Sequence, residues 1–243
     1  MVDIHCHILP YMDDGAADLE ESLAMAHMAA LSGVTDIVAT PHFPGRRKSL
    51  ELLPKLTKEW QNLSTAIAEA GIPLTLHRGA EILCTPEAVE MAQEKLLPTL
   101  GDTPYLLTEF YFDEHFTPMD AMLRDIAAAG YIPVVAHPER YDAIQRDPLL
   151  AQRWFRRGYV LQMNKGSVLG AFGSHVRRTA DILLDAGLVH LIASDAHSAT
   201  RRTTHMEGLH QWMAHYLDPA YARILLEENP HRLIRGKSMC PVE

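Results

Sequence analysis

The sequence predicts an α/β fold: a single closed or nearly closed (β/α) barrel of seven parallel strands. Three observations carry it. Short β-type runs alternate with long helical stretches along the whole chain. Strands that are each followed by helical sequence pair in parallel through right-handed crossovers. The strands are also nearly continuous apolar runs, as expected where both faces are covered. An open doubly wound sheet is the structural alternative. No linker-like stretch divides the chain, and 243 residues with 47% hydrophobic content can bury a large core. Residues 1–243 are therefore read as one domain.

The elements follow in order. "VDIH" is the first strand, and a helix runs from about Asp18, its cap, to Ser32, where Gly33 ends it. "TDIVAT" is the second strand. The next helix covers about Leu50 to Ala70 and stops at Gly71-Ile72-Pro73. "LTLHRGAE" is the third strand, followed by a helix near Pro86 to Lys95. "YLLTEF" is the fourth, with a helix from Asp120 to Ala129 closed by Gly130. "IPVVAH" is the fifth, then a helix near Leu149 to Arg157. "YVLQMN" is the sixth, then a helix from Ser174 to Ala186 ended by Gly187, and "VHLIASD" is the seventh strand. From Thr204 the chain reads as helical, with "ENP" starting a last short helix.

Composition excludes several classes of function. The net charge is -9 and the longest basic run is Arg46-Arg47-Lys48, which argues against nucleic-acid binding over a broad surface. No apolar run approaches the roughly 18 residues needed to cross a membrane. No basic segment followed by an apolar one opens the chain, so a cytoplasmic protein that is not membrane-inserted is expected. Cys6, Cys84 and Cys240 are few and far apart, which suits a reducing compartment.

The chemistry begins at "DIHCHILPYMDDG". A His-x-His pair is weak by itself, because 14 histidines give roughly one such pair by chance. Its context is what matters. His5 ends the first strand with His7 just beyond, and His42 follows the second. Glu81, Glu109 and His137 end the third, fourth and fifth, and Asp195 ends the seventh with His197 two residues on. Barrel active sites sit at the C-terminal ends of the strands, so these scattered side chains should converge. Residues two apart on a strand point the same way, so His5 and His7 can share an ion while Cys6 faces away. Imidazoles with carboxylates suit manganese, iron or zinc rather than a structural zinc cluster.

With these residues on the page, the chain resembles the PHP (polymerase and histidinol phosphatase) superfamily. Within it, the resemblance is to the bacterial manganese-dependent tyrosine phosphatases that regulate capsule and exopolysaccharide synthesis. The matching segments are "DIHCHILPYMDDG", "TPHF", "GAE", "TEF", "AHPERY" and "ASDAHS", in order from residue 3 to 197. The resemblance implies a distorted seven-stranded TIM-like barrel holding three divalent ions, manganese with iron or zinc as alternatives. It implies His5, His7, Glu81 and Asp195 on one ion, Glu81, Glu109 and His137 on a second, and Asp14, His42 and His197 on a third. Asp13 is read as a turn residue, and Asn164 and Lys165 as turn or supporting groups. Arg140 and Arg202 are the phosphate-binding candidates, since a planar guanidinium suits two phosphate oxygens. Arg202 matches the family's arginine by its distance from Asp195, with Arg201 beside it as the competitor. The implied substrate is a phosphotyrosine-bearing protein tail, that of a bacterial tyrosine kinase.

Charge arithmetic agrees with a phosphoester. Four carboxylates, three divalent ions and one hydroxide leave about +1, a match for a phosphate dianion. Two ions sharing Glu81 would lower the pKa of a water between them, so that hydroxide attacks phosphorus in line. A cysteine nucleophile is excluded, because such enzymes need an arginine six residues on; Met12 and Glu90 stand there after Cys6 and Cys84. Rival readings are a histidinol-phosphate or other small phosphomonoester phosphatase, a barrel amidohydrolase or nuclease, and a non-catalytic metal-binding protein.

Overall fold

In the computed structural model, which describes residues 1–241, the polar strand ends of the sequence lie at one end of two parallel sheets. The chain order is β1 (Val2–Cys6), α1 (Leu19–Leu31), β2 (Asp36–Ala39), β3 (His42–Phe43), α2 (Leu53–Glu69), β4 (Thr75–Arg78) and β5 (Glu81–Leu83). Then come α3 (Pro86–Gln93), β6 (Tyr105–Glu109), α4 (Phe116–Ala128), β7 (Ile132–Ala136), α5 (Asp142–Arg146), α6 (Ala151–Arg156) and β8 (Val160–Asn164). The chain ends with α7 (Lys165–Val168), α8 (Ser174–Asp185), β9 (Leu191–Ala193), α9 (Glu207–Tyr216), α10 (Pro219–Arg223) and α11 (Asn229–Leu233). Every strand pairing is parallel.

The α/β class with parallel strands holds, while the strands do not form one closed seven-stranded sheet. The strands form a three-stranded sheet, β1-β2-β4, and a six-stranded sheet, β3-β5-β6-β7-β8-β9, and neither closes on itself. The cause is local. The expected second and third strands are each broken at the same level, by Thr40-Pro41 and by Gly79-Ala80, so β2 pairs with β4 and β3 with β5. Pro41 has no N–H for a ladder. At Gly79 a Cβ would stand 2.8 Å from Val38 Cγ1 and 3.0 Å from Leu100 Cδ2, so a larger residue would force these side chains to shift. One hydrogen bond, Glu81 N–H to Pro41 O at 3.1 Å, spans the break. On the other side β1 runs beside the residues after β9: Asp195 N–H reaches His5 O and His7 N–H reaches Ala196 O, both at 2.8 Å.

The other departures are at element boundaries. A 3-10 turn, Arg47–Leu52, precedes α2, and α4 starts at Phe116 rather than Asp120. A 3-10 turn, Pro148–Leu150, leads into α6, while α5 and α7 were not anticipated. Asp18 caps α1 as expected, accepting from Glu21 N–H at 2.9 Å. The "ENP" stretch does begin α11, with Pro230 in its first turn. Among the described residues no helix is long and apolar enough to cross a membrane.

Alternation along the strands positions the site. Val2, Ile4, Val38, Leu107, Val134, Val160 and Leu191, from both sheets, share one buried apolar cluster. Continuing two residues at a time from these positions reaches Glu109, Ala136, Gln162 and Asn164, Ala193 and Asp195. The interior is thus apolar at depth and polar at the C-terminal strand ends. In β1 a register shift between Asp3 and Cys6 re-aims the chain, and Cys6 packs into the outer core. The Gly79 junction carries a testable consequence. Gly79→Ala should cost about 1–3 kcal/mol by overpacking, read as a lowered urea midpoint with an unchanged slope. An unchanged midpoint would show that the break does not depend on glycine.

Candidate metal centre

The carboxylate of Glu81, at the start of β5, is 1% exposed and surrounded by imidazoles. Its Oε1 lies 3.2 Å from His5 Nε2 and 2.9 Å from His137 Nε2. Its Oε2 lies 3.3 Å from His7 Nε2 and 3.1 Å from His42 Nδ1. Glu109, ending β6, reaches His42 Nδ1 at 3.0 Å. Asp14 is 70% exposed and lies 3.4 Å from His42 Nε2 and 3.5 Å from His197 Nε2. Asp195 Oδ1 lies 3.5 Å from Nε2 of both His5 and His7. All nine ligand candidates therefore converge. Three compact groups offer mutually close donor atoms: His5, His7 and Glu81; His42, Glu81 and Glu109; and His7, Asp14, His42 and His197. The grouping differs from the expected one: His42 rather than His137 stands with Glu81 and Glu109, Asp195 lies outside the group of His5, His7 and Glu81, and His7 joins Asp14, His42 and His197.

Supporting groups fix which nitrogen each ring presents. His7 Nδ1 donates to Asp13 Oδ2 at 2.7 Å, and His5 Nδ1 to Gln162 Oε1 at 2.8 Å. His197 Nδ1 donates to the Asp195 carbonyl at 3.1 Å. Each leaves Nε2 facing the cluster, the arrangement that orients imidazoles toward a metal. Asp13 is thus more than a turn residue, since it also accepts from His42 N–H at 2.7 Å and Gly15 N–H at 2.9 Å. Gly15 is required by contact: a Cβ there would stand 2.2 Å from the His7 carbonyl oxygen. Gln162 was not singled out from sequence, though its place two residues before Asn164 on an inward face was the available signal. Gln162 Nε2 donates to Asn164 Oδ1 at 2.9 Å, and Asn164 Nδ2 donates to Asp195 Oδ2. Buried Glu139 holds the Asn164 backbone, accepting its N–H at 3.0 Å. Lys165 points away from the cluster and donates to the carbonyls of Thr203 and His205.

The arginines meet the cluster at Asp195. Its Oδ2 pairs with Arg202 Nη2 and lies 3.5 Å from Arg140 Nη1. Arg202 Nη1 also donates to His197 Nε2 at 3.3 Å. Arg140 and Arg202 both line the cavity of about 490 Å³ above the cluster, and Arg201 does not. Two strand-end residues are held in the left-handed region, His137 at φ 35° and Asp195 at φ 49°. For non-glycine residues this is strain of about 1–3 kcal/mol each, of a kind found at functional sites. The basic run after β3 is partly neutralised, because Arg47 forms a two-pronged pair with Glu94 at 2.7 and 2.8 Å.

The electrostatics are those of a cation site. Burial works against charge on Glu81, but His5, His137 and His42 outweigh it and hold the carboxylate well below its usual range. Burial likewise opposes charge on His42, yet Glu109 and Glu81 push it up to about 10. His197 goes the other way, to about 4, through burial and the neighbouring His7. The buried carboxylates thus hold protons on imidazoles where a divalent ion would supply positive charge instead. His137 Nδ1 is buried without a hydrogen-bond partner. The donor set, imidazole and carboxylate without thiolate, fits manganese, iron or zinc.

The family described as "Capsular polysaccharide synthesis, CpsB/CapC" matches residues 1–235. The chain belongs to the CpsB/CapC family. It is 35% identical over 243 residues to the tyrosine-protein phosphatase YwqE of Bacillus subtilis, covering 98% of this chain and 93% of YwqE. It is 32% identical to the tyrosine-protein phosphatase CpsB of Streptococcus pneumoniae, covering 96% and 98%. A solved structure from work on YwqE and CpsB, described there as unique metal-dependent tyrosine phosphatases, superposes with a TM-score of 0.87 at 32% identity over 100% of both chains. The dihydropyrimidinase of Brevibacillus agri superposes at 0.57 with 12% identity, covering 99% of this chain and 72% of that one, a likeness of fold alone.

For this CpsB/CapC chain the role of Asp13 is directly measurable. Asp13→Ala frees His7 to rotate and should weaken metal affinity about 10–100-fold. Competition with a metal-binding dye reads this, and unchanged affinity would return Asp13 to a turn role.

Proposed function

We propose that this CpsB/CapC chain is a metal-dependent protein-tyrosine phosphatase that hydrolyses phosphotyrosine on a protein tail. The observation that carries the reading is the convergence of imidazoles and carboxylates on Glu81 beneath a cavity lined by Arg140 and Arg202. Family membership and the names of the relatives support it. The finer reading is three divalent ions, manganese first, on His5, His7, Asp14, His42, Glu81, Glu109, His137, Asp195 and His197. The proposed substrate is the tail of a bacterial tyrosine kinase that controls capsule or exopolysaccharide synthesis, met in the cytoplasm. The two sheets are taken as a distorted seven-stranded barrel, supported by the backbone bonds that join β1 to the residues after β9.

Bound divalent ions would polarise the phosphoryl group and make water a nucleophile near neutral pH. The chain's own residues do the rest. Glu81 and Asp195 hold cationic charge at the floor, while Asp13 and Gln162 fix His7 and His5 so that they need not reorganise. Arg140 and Arg202 share Asp195 Oδ2 and can turn their remaining donors to the phosphoryl oxygens. Phe112 and Phe172 lie against Arg140, with its guanidinium carbon 4.3 and 4.5 Å from the ring centroids, so its fork is pre-aimed. The cysteines take no part. Cys6 and Cys84 are buried, and burial pushes both thiols up, away from a nucleophilic thiolate.

Exhaustive chelation should abolish aryl-phosphate hydrolysis and lower the melting temperature, since ions that bind only the folded state stabilise it. Full activity after verified metal removal would sink the mechanism. Arg140→Ala and Arg202→Ala should each keep their metals while kcat falls more than about tenfold, and Arg201→Ala should be milder. The reverse order for Arg201 and Arg202 would reassign the phosphate ligand. A kcat/KM preference for histidinol phosphate over phosphotyrosine peptide would favour the small-molecule branch of the superfamily.

A further inference from the structure

The mouth of the catalytic cavity carries a feature that metal binding does not explain. Tyr111 and Phe112 are consecutive, follow β6, and line the cavity while 55% and 44% exposed. Other exposed large hydrophobic residues, such as Leu31, Leu149 and Tyr216, lie away from it. Exposed aromatic rings gain nothing for folding by themselves, and two together at a concave site indicate an apolar ligand.

The segment is also held still. Tyr141 is fully buried; its hydroxyl donates to Ala136 O at 2.9 Å and accepts from Phe110 N–H at 3.2 Å. Phe112 O accepts from Asp142 N–H at 2.8 Å, and Tyr111 O from Glu114 N–H at 3.0 Å. Phe110 itself is 3% exposed and packs edge-on against Tyr141, centroids 5.8 Å apart. Phe112 stands beside His137, at 5.9 Å, and under the Arg140 guanidinium, so it adjoins the phosphate-binding floor. Tyr111 is one residue further along the rim, and Pro44 and Leu83 add apolar surface to the same cavity.

The cavity therefore has a cationic, imidazole-rich floor and an apolar aromatic side. We infer that Tyr111 and Phe112 form a subsite for the phenyl ring of the substrate and are its specificity-determining residues. This rests on the phosphatase reading and deepens it: the ligand class is an aryl phosphate whose ring packs on these two side chains. Ring–ring packing of this kind discriminates against alkyl phosphates such as phosphoserine, which place no ring there. It also disfavours a cationic alkyl group, because the face of Phe112 already carries Arg140.

The experiment compares two substrates of one site, a phosphotyrosine peptide and the small ring-free acetyl phosphate, in the manganese-loaded protein and three variants. Tyr111→Ala and Phe112→Leu should each lower kcat/KM for the peptide by about 3–10-fold, mainly through KM. For Tyr111→Ala the ratio of peptide to acetyl phosphate should fall by the same factor; Phe112→Leu, which also loosens Arg140, should slow both substrates but the peptide more, and Phe112→Tyr should restore the ratio. Tyr111 is exposed, so its truncation leaves the fold intact even if Phe112→Leu proves unstable. An unchanged ratio overturns the inference. An equal loss on both substrates also overturns it, because Phe112 would then act only by positioning Arg140. If the parent protein hydrolyses neither substrate, the phosphatase reading itself fails, a result distinct from either of these.

Discussion

The structure depends on one buried carboxylate. Glu81, only 1% exposed, presents its two oxygens to four imidazoles: His5 of β1, His7 just beyond it, His42 of β3 and His137 after β7. A lone carboxylate at that depth would be costly to ionise. It stays ionised because the imidazoles of His5, His137 and His42 outweigh the cost of burial. The same constraint explains the second layer. Asp13 and Gln162 orient rings, and Asn164 ties Asp195 to Gln162, so that the donors converge.

The backbone is bent to serve that convergence. The break at Thr40-Pro41 and Gly79-Ala80 lets His42 and Glu81 face each other as register partners at the first step of a new sheet. The shift in β1 aims His5 and His7 at the same point. His137 and Asp195 turn through left-handed conformations where their strands end. Each departs from regular strand geometry and carries a ligand candidate or adjoins one, as expected when local strain is held by a well-packed surround. The turn at His137 also sends the chain back through Arg140, whose N–H bonds to the His137 carbonyl at 2.9 Å.

Charge and apolarity are separated within one cavity. The floor collects ligand candidates and two arginines, while Phe43, Pro44, Leu83, Phe110, Tyr111 and Phe112 form the rest of the lining. The two arginines share one oxygen of Asp195, and its other oxygen faces the imidazoles. Asp195 thus joins the imidazole cluster to the two arginines.

The sequence by itself determined the α/β class, the order of the principal strands and the placing of polar residues at strand ends. Those features are local: apolar runs, helix caps and glycine stops act over a few residues. It also determined eight of the nine ligand candidates, because a strand-end position and a chemical type are both readable without knowing contacts; Asp14 came only from the resemblance of its motif. Tertiary structure decided the rest. The split into two sheets falls at Thr40-Pro41 and Gly79-Ala80, and the neighbours that Gly79 meets there, Val38 and Leu100, are not legible in any single strand. Arg202, already favoured by its distance from Asp195, lines the cavity and Arg201 does not, a difference of orientation that neighbours in sequence do not show. Gln162 and Asp13 became positioning groups, and His42 joined Glu81 and Glu109, through contacts between residues far apart in the chain. Hydrogen bonds of that kind are set by where separate elements meet, and packing fixes that only once the whole chain has folded.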